Sequence, residues 1–352
     1  MTQVKPRVVF VVDESFSPLW RAANSHASSS DIKVISASEH FSVSDLVREI
    51  SSFRADIVIF SWRGAFDAAI SSQKAKRALI EAKVSLFLLI PDLLGVHQFS
   101  GDEQNRILMA DGLLVTSREL EFKYKSMYKT ENIQILHDFP PFEALETISR
   151  EKLPRNVLQI IWVGNSQWGR RAGFVDHKGL HSFALPVVEE VKKSCPEISF
   201  LVIDSATKKV PYDKVLRTLR QSACLIFTSD SEGTGLPLIE AAALGTPVVT
   251  LNVGIASELL KGDLGNLISS RNVSLFSDKV LEVLRDLDGY SKSIAVAAER
   301  YKAEIATDFK RLELHSHQKG SWRIQPYSWD FGTFLKWKLR WLRQLLNSFL
   351  TK

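Results

Sequence analysis

Ser229-Asp230-Ser231-Glu232-Gly233-Thr234-Gly235-Leu236-Pro237-Leu238-Ile239-Glu240-Ala241-Ala242-Ala243-Leu244-Gly245-Thr246-Pro247-Val248-Val249 is the stretch that decides the fold. It reads as a glycine loop after a strand, then a short helix opened by Pro237, then a second strand entered through Gly245-Thr246-Pro247. Glycines let backbone N–H groups approach a ligand closely, and the following helix aims its positive end at the same place, so an anion such as a diphosphate fits there. Glu232 stands at the loop entrance and Glu240 in the first turns of the helix. Both carboxylates can face one pocket and accept hydrogen bonds from sugar or ribose hydroxyls. Read alone, the same residues also allow Glu240 to complement the helix dipole and Glu232 to be a solvated loop charge.

Outward from this stretch, strands and helices alternate. In the first half Val8–Val12, Ile32–Ser36, Ile57–Trp62, Val84–Ile90, Gly112–Thr116 and Ile133–Leu136 read as strands. Ser44–Ile50, Ala65–Ala82 and Arg118–Tyr128 read as helices between them. In the second half Leu158–Val163, Ile198–Ile203, Cys224–Thr228 and Val248–Leu251 read as strands. Helices are expected around Leu180–Lys193, Tyr212–Gln221, Leu238–Leu244 and Ser274–Leu287. Alternation of this kind predicts an α/β protein with parallel sheets covered on both faces. The rhythm breaks at Asp138-Phe139-Pro140-Pro141 and resumes after Leu153-Pro154. The expectation is therefore two doubly wound, Rossmann-like lobes, 1–153 and 154–320, that face each other with ligands at the carboxyl ends of their strands. A C-terminal amphipathic helix is expected within 321–352.

The glutamates bracketing Gly-x-Gly-Leu-Pro, the Ala-rich helix, Gly-x-Pro and the Val-rich strand together resemble the donor-site signature of the family 4 retaining glycosyltransferases (glycosyl transferases group 1), which have the GT-B fold. The resemblance implies a glycosyltransferase of the hexosyltransferase type with a nucleotide-diphosphate sugar as donor and a glycan or lipid-linked hydroxyl as acceptor. It implies that Glu240 holds the nucleotide ribose, that Glu232 lies by the donor sugar, and that the backbone of Gly233, Thr234, Gly235 and Leu236 contacts sugar and phosphate. Upstream, Trp162-Val163-Gly164-Asn165-Ser166-Gln167-Trp168-Gly169-Arg170-Arg171 follows a strand and Asp176-His177-Lys178-Gly179-Leu180 opens a helix. Lys178 with Arg170 or Arg171 would neutralise the leaving diphosphate without a metal or other cofactor. Two departures stand out. The position directly after Val163-Gly164, where the family carries an arginine, is Asn165. The family's first-lobe histidine is displaced, Ile90-Pro91-Asp92 standing in its place, with His97 the nearby candidate or a plain loop histidine. Ala110–Ser117 and Ile135–Asp138 resemble fold markers of the same family.

Composition agrees with a folded protein: 45% of residues are apolar and 24% charged, which excludes disordered and collagen-like classes. The net charge of +5 is small for 352 residues, and no concentrated basic stripe points to nucleic acid. Two cysteines, Cys195 and Cys224, rule out a disulfide framework and point to a reducing, cytoplasmic compartment. No apolar run approaches the roughly 20 residues of a spanning helix, and no secretory signal is expected. Asp286-Leu287-Asp288 has a metal-binding spacing but reads as a solvated helix end. From Phe331 to Leu350 an apolar arc opposes Lys336, Arg340 and Arg343, with Trp337 and Trp341 at its edge. Such a helix either lies peripherally on an anionic membrane surface, as polysaccharide or lipopolysaccharide assembly at the inner membrane face would use, or packs back on the first lobe. A non-catalytic nucleotide-sugar-binding or scaffold subunit is the alternative reading, motivated by Asn165 and the displaced histidine.

Overall fold

The computed structural model describes residues 6–13, 23, 32–39, 42–61, 63–91, 109–128, 133–138, 140–170, 173–306 and 308. The described residues up to Phe142, together with 303–306 and 308, form one compact unit, and Glu143–Lys302 form the second.

The first unit runs β1 (Val8–Val12), β2 (Ile32–Ser36), α1 (Val43–Phe53), β3 (Ile57–Phe60), α2 (Arg63–Ser71), α3 (Gln73–Glu81), β4 (Ser85–Ile90), β5 (Gly112–Val115), α4 (Arg118–Tyr128) and β6 (Ile133–Ile135). The strands form a parallel sheet in the order β2-β1-β3-β4-β5-β6. Its central strands are buried on both faces, which is why they read as continuous Val/Ile/Leu/Phe runs rather than as alternating patterns. α1 shows how sequence sets an element here. Ser42 Oγ accepts the Asp45 amide at 3.2 Å, Leu46, Val47 and Ile50 form the buried stripe, and Arg54 in a left-handed conformation ends the helix. The single helix expected over 65–82 is two helices. Ser72 breaks it because its hydroxyl accepts the Ala75 amide at 3.3 Å and so caps α3. Residues 303–306 and 308 return to this unit, where Asp308 receives the His137 amide at 3.1 Å and meets the His137 ring Nδ1 at 2.6 Å, both groups buried.

The second unit runs α5 (Phe142–Ser149), β7 (Asn156–Gly164), a π-helical turn (Leu180–Ala184), α6 (Leu185–Ser194), β8 (Ser199–Asp204), α7 (Tyr212–Gln221), β9 (Ser222–Phe227), α8 (Leu236–Ala243), β10 (Val248–Leu251), α9 (Ala256–Leu259), β11 (Ile268–Ser269), α10 (Val273–Arg285) and α11 (Leu287–Ile305). The sheet is again parallel, in the order β11-β10-β9-β7-β8. From β7 the chain moves outward to β8 and then back across to β9, so the order reverses between β7 and β9, and the carboxyl ends of strands at such a reversal are where open α/β sheets bind ligands. Both α/β units thus follow the expected architecture, with differences at element ends. The helix expected from Leu180 starts as a π turn because the Asp176 carboxylate accepts the amides of Leu180 (3.1 Å) and Ser182 (2.6 Å). α11 lies beyond the expected helices, since Gly289 and a polar first turn hide its start. Asp286 ends α10, its carboxylate accepting the Gly289 amide at 3.1 Å, which is the structural role expected for this acidic pair. Cys195 caps α6, and Cys224 is sealed in β9, where burial pushes its thiol up to about 12. Among the described residues no helix is long and apolar enough to cross a membrane. The helix expected over 331–350 lies outside them.

Candidate functional site

Two loops meet at the strand-order reversal of the second unit, one after β7 and one after β9. They are stitched residue by residue. Thr228 Oγ1 donates to the Lys178 carbonyl at 2.8 Å while accepting Trp162 Nε1–H at 3.1 Å. The Asp230 amide donates to the His177 carbonyl at 2.9 Å, and His177 Nε2 lies 3.1 Å from the Ser231 carbonyl. A carbonyl oxygen only accepts, so Nε2 carries a proton in this contact. Finally Lys178 Nζ donates to Glu232 Oε1 at 2.5 Å. Only 15% of the lysine and 11% of the glutamate side chain is exposed, so this ion pair is shielded from the solvent that makes surface pairs nearly worthless.

Aromatic rings wall the pair. The Lys178 ammonium sits 4.4 Å from the Trp168 ring centroid, and the His177 ring packs between Trp168 (5.2 Å) and Phe174 (5.1 Å). His177 is 3% exposed; burial, reinforced by the neighbouring Lys178 charge, pushes its pKa below the ordinary histidine value.

Glycines set the backbone. Gly179 has φ +68, and a Cβ there would collide with the Thr228 carbonyl oxygen. Gly254, with φ +57, presses so closely on the glycine loop that a Cβ would lie 2.5 Å from Thr234 O and 3.1 Å from Glu232 Cβ. The Ile255 amide donates to the same Thr234 carbonyl at 3.1 Å, so the loop after β10 is a backstop for residues 232–235. Gly235, at φ +79, caps α8, and Pro237 opens its first turn as the sequence predicts. Leu238 and Ile239 are fully buried and anchor that helix. Burial of this extent is worth about 1.5–3 kcal/mol per side chain.

Glu240, 5% exposed, faces α7, where Tyr212 donates its hydroxyl to Glu240 Oε1 at 2.6 Å. The loop after β7 is tied to the end of β8 through Asp204, which accepts the Ser166 amide (3.0 Å), Ser166 Oγ–H (2.7 Å) and the Ala206 amide (3.0 Å). Burial works to raise the Asp204 carboxyl, and these hydrogen bonds outweigh it, leaving its pKa below the usual carboxylate value.

The structure therefore brings Lys178 to Glu232, on the loop that also carries Gly233, Thr234, Gly235 and Leu236, and sets Glu240 in the helix that follows. Gly164 ends β7 against the Trp162 ring. Asn165 turns its carboxamide oxygen back to accept the Gln167 amide at 3.0 Å, so it shapes its own loop. Arg170 is exposed, and its guanidinium makes no hydrogen bond or ion pair with a described residue. Arg171 and His97 lie outside the described residues. Sequence reasoning passed over Trp168, His177, Tyr212 and Gly254. Among the described residues no group of three or more His, Cys, Asp or Glu side chains could hold a metal ion.

Two parallel, doubly wound units with a glycine loop and shielded charges at the strand-order reversal of the second define the GT-B class. Within that class, residues 205–300 match the model of the family described as glycosyl transferases group 1. Solved structures of similar fold include a mutant of S. aureus TarM in complex with fondaparinux, α-GlcNAc-glycerol and UDP. It has 17% identity and a TM-score of 0.53, over 78% of this chain and 58% of that one. Anabaena Alr3699/HepE in complex with UDP has 11% identity and a TM-score of 0.62, over 89% of this chain and 100% of that one. The trehalose-6-phosphate synthase OtsA has 10% identity and a TM-score of 0.64, over 89% and 99%. At such identities the likeness is one of fold. The chain spans 58–61% of the length of TarM, the pneumococcal O-GlcNAc transferase GtfA and the chain matched in the GtfA/B complex. No curated protein matches it in sequence.

Proposed function

We propose that the protein is a retaining glycosyltransferase that moves a sugar from a nucleotide-diphosphate donor to a hydroxyl of a glycan or lipid-linked acceptor in surface-polysaccharide assembly. The shielded Lys178–Glu232 pair beside a glycine loop, at the strand-order reversal of a parallel sheet, carries this reading. The solved structures of TarM, GtfA and Alr3699/HepE hold UDP, and the TarM complex also holds glycan ligands; the fold likeness makes the same ligand classes the first to try.

In this reading Lys178 leaves Glu232 for the donor diphosphate and neutralises the charge that develops as the sugar–phosphate bond breaks. Glu232, released, accepts hydrogen bonds from donor-sugar hydroxyls, and Glu240 accepts from the ribose. The backbone of Gly233, Thr234, Gly235 and Leu236 lines the sugar and phosphate. Arg170 or Arg171 adds a second positive charge beside the diphosphate, and the family resemblance makes His97 a further residue to test. No resident metal or cofactor takes part. Departure of the nucleotide assists acceptor attack on the same face, so retention needs no protein nucleophile. The basic amphipathic segment 331–350 would hold the enzyme at the cytoplasmic face of an anionic membrane. Incubating the protein with UDP-, GDP- and ADP-sugars and following the anomeric proton by NMR tests the reaction: release or transfer of an α-sugar from an α-linked donor is expected, and inversion would overturn retention.

Asn165 favours a second reading, a nucleotide-sugar-binding subunit without turnover, because its carboxamide stabilises its own turn where the family carries an arginine. Donor cleavage by the purified wild type, absent from Lys178→Ala, excludes it.

A further inference from the structure

We propose that Tyr212 is a positioning residue that fixes Glu240 as an acceptor for the donor's ribose hydroxyls, so that the site distinguishes ribonucleotides from nucleotides lacking them. This inference rests on the reading that Glu240 meets the ribose.

The first observation is where the contact lies. α7 and α8 follow β8 and β9, so both helices begin at the carboxyl edge of the sheet, the edge that carries the candidate site. At their far ends they are tied by Thr246 Oγ1 donating to the Leu219 carbonyl (2.9 Å) and by Arg220 donating to the Leu244 carbonyl (3.2 Å). Their near ends meet through Tyr212 and Glu240, at 2.6 Å. Tyr212 is the first residue of α7, one helical turn before Leu216, which is fully buried, so packing holds the phenol on the inward side.

The second observation is chemical. A phenol O–H donates and a carboxylate only accepts, so the 2.6 Å contact ties one oxygen of a carboxylate whose residue is 5% exposed. A carboxylate accepts from hydroxyl groups and repels phosphate oxygens. The ribose diol, which the proposed function places at Glu240, has that chemistry. A tie that served only to brace α7 against α8 would affect folding without sensing which nucleotide is bound.

The test compares UDP, ADP and GDP with their 2′,3′-dideoxy counterparts by titration calorimetry, on wild type and Tyr212→Phe. The wild type is expected to prefer one ribonucleotide over its dideoxy form. In Tyr212→Phe that ribonucleotide binds about tenfold more weakly while the dideoxy form is nearly unaffected, because the lost hydrogen bond organises the diol's partner. Tyr212→His keeps a ring N–H donor and is expected to retain part of the preference. If the first variant does not fold, Tyr212→Leu, which also removes the donor, takes its place: a preference equal to that of the wild type overturns the proposal, and a lower one supports it. A preference that survives undiminished in folded Tyr212→Phe also overturns the role of Tyr212 and leaves Glu240 in place. Equal binding of ribo and dideoxy forms by the wild type overturns the ribose reading of Glu240 itself.

Discussion

Lys178 and His177 are adjacent residues with opposite electrostatic situations. Lys178 is charged against Glu232 and under Trp168, while His177 is kept neutral between two aromatic rings with its Nε2–H on the Ser231 carbonyl. In the proposed reaction Lys178 is the cation for the leaving diphosphate, so Lys178→Ala is expected to lower kcat/KM by roughly 10²- to 10³-fold in a donor-cleavage assay. Loss of less than about threefold would remove Lys178 from the chemistry. For His177 the folded protein disfavours the protonated form, so between its folded and unfolded pKa values the unfolded chain binds more protons. Its stabilising contribution is complete above the unfolded value, about 6.5, and is lost as pH falls through the depressed folded value. Urea unfolding from pH 7.5 down to pH 4.5 should therefore show a steeper loss of stability for wild type than for His177→Gln; parallel curves would show that the ring carries no protonation cost. Glu232 and Lys178 were legible in the sequence because each sits in a local motif. Trp168 and His177 were not, since nothing in their neighbours reveals that 54 residues separate His177 from the carbonyl it meets.

At the scale of elements, the site is a set of loop conformations imposed by their neighbours. The glycine loop 232–235 is backed by Gly254, whose φ of +57 and contact with Thr234 O leave no space for a side chain. Gly254→Ala should lower stability by about 1–3 kcal/mol through backbone strain and overlap, and should raise the donor KM as the loop moves forward. Chemical denaturation and steady-state kinetics read the two effects, and an unchanged KM would show that the loop does not touch the donor. The order of strands and helices could be read from apolar runs separated by amphipathic ones, and the Gly-Leu-Pro entry to α8 followed from loop chemistry. Breaks made by single side chains escaped the periodicity. Ser72 divides one apolar pattern into α2 and α3, and Asp176 turns the first residues after Gly179 into a π turn. Tyr212 likewise reads as an ordinary helix start, and acquires its meaning from packing against α8.

For the whole molecule, the class of fold was visible in the alternation of elements, while the path of the chain between units was not. Residues 303–306 and 308 belong to the first unit, and Asp308 makes a buried contact with His137, a pairing across 171 positions that no local pattern announces. What the molecule does depends on whether the second unit binds a nucleoside diphosphate at the carboxyl ends of β7 and β9. The thermal midpoint of the full chain, measured alone and with UDP, GDP and ADP, asks this directly. A ligand held only by the folded state at about 100 times its Kd adds about 2.7 kcal/mol, which raises the midpoint by several degrees. One nucleotide is expected to raise it for wild type, with the rise abolished in Glu240→Ala and diminished in Lys178→Ala. No rise with any of the three, or the same rise in wild type and both variants, would contradict the assignment.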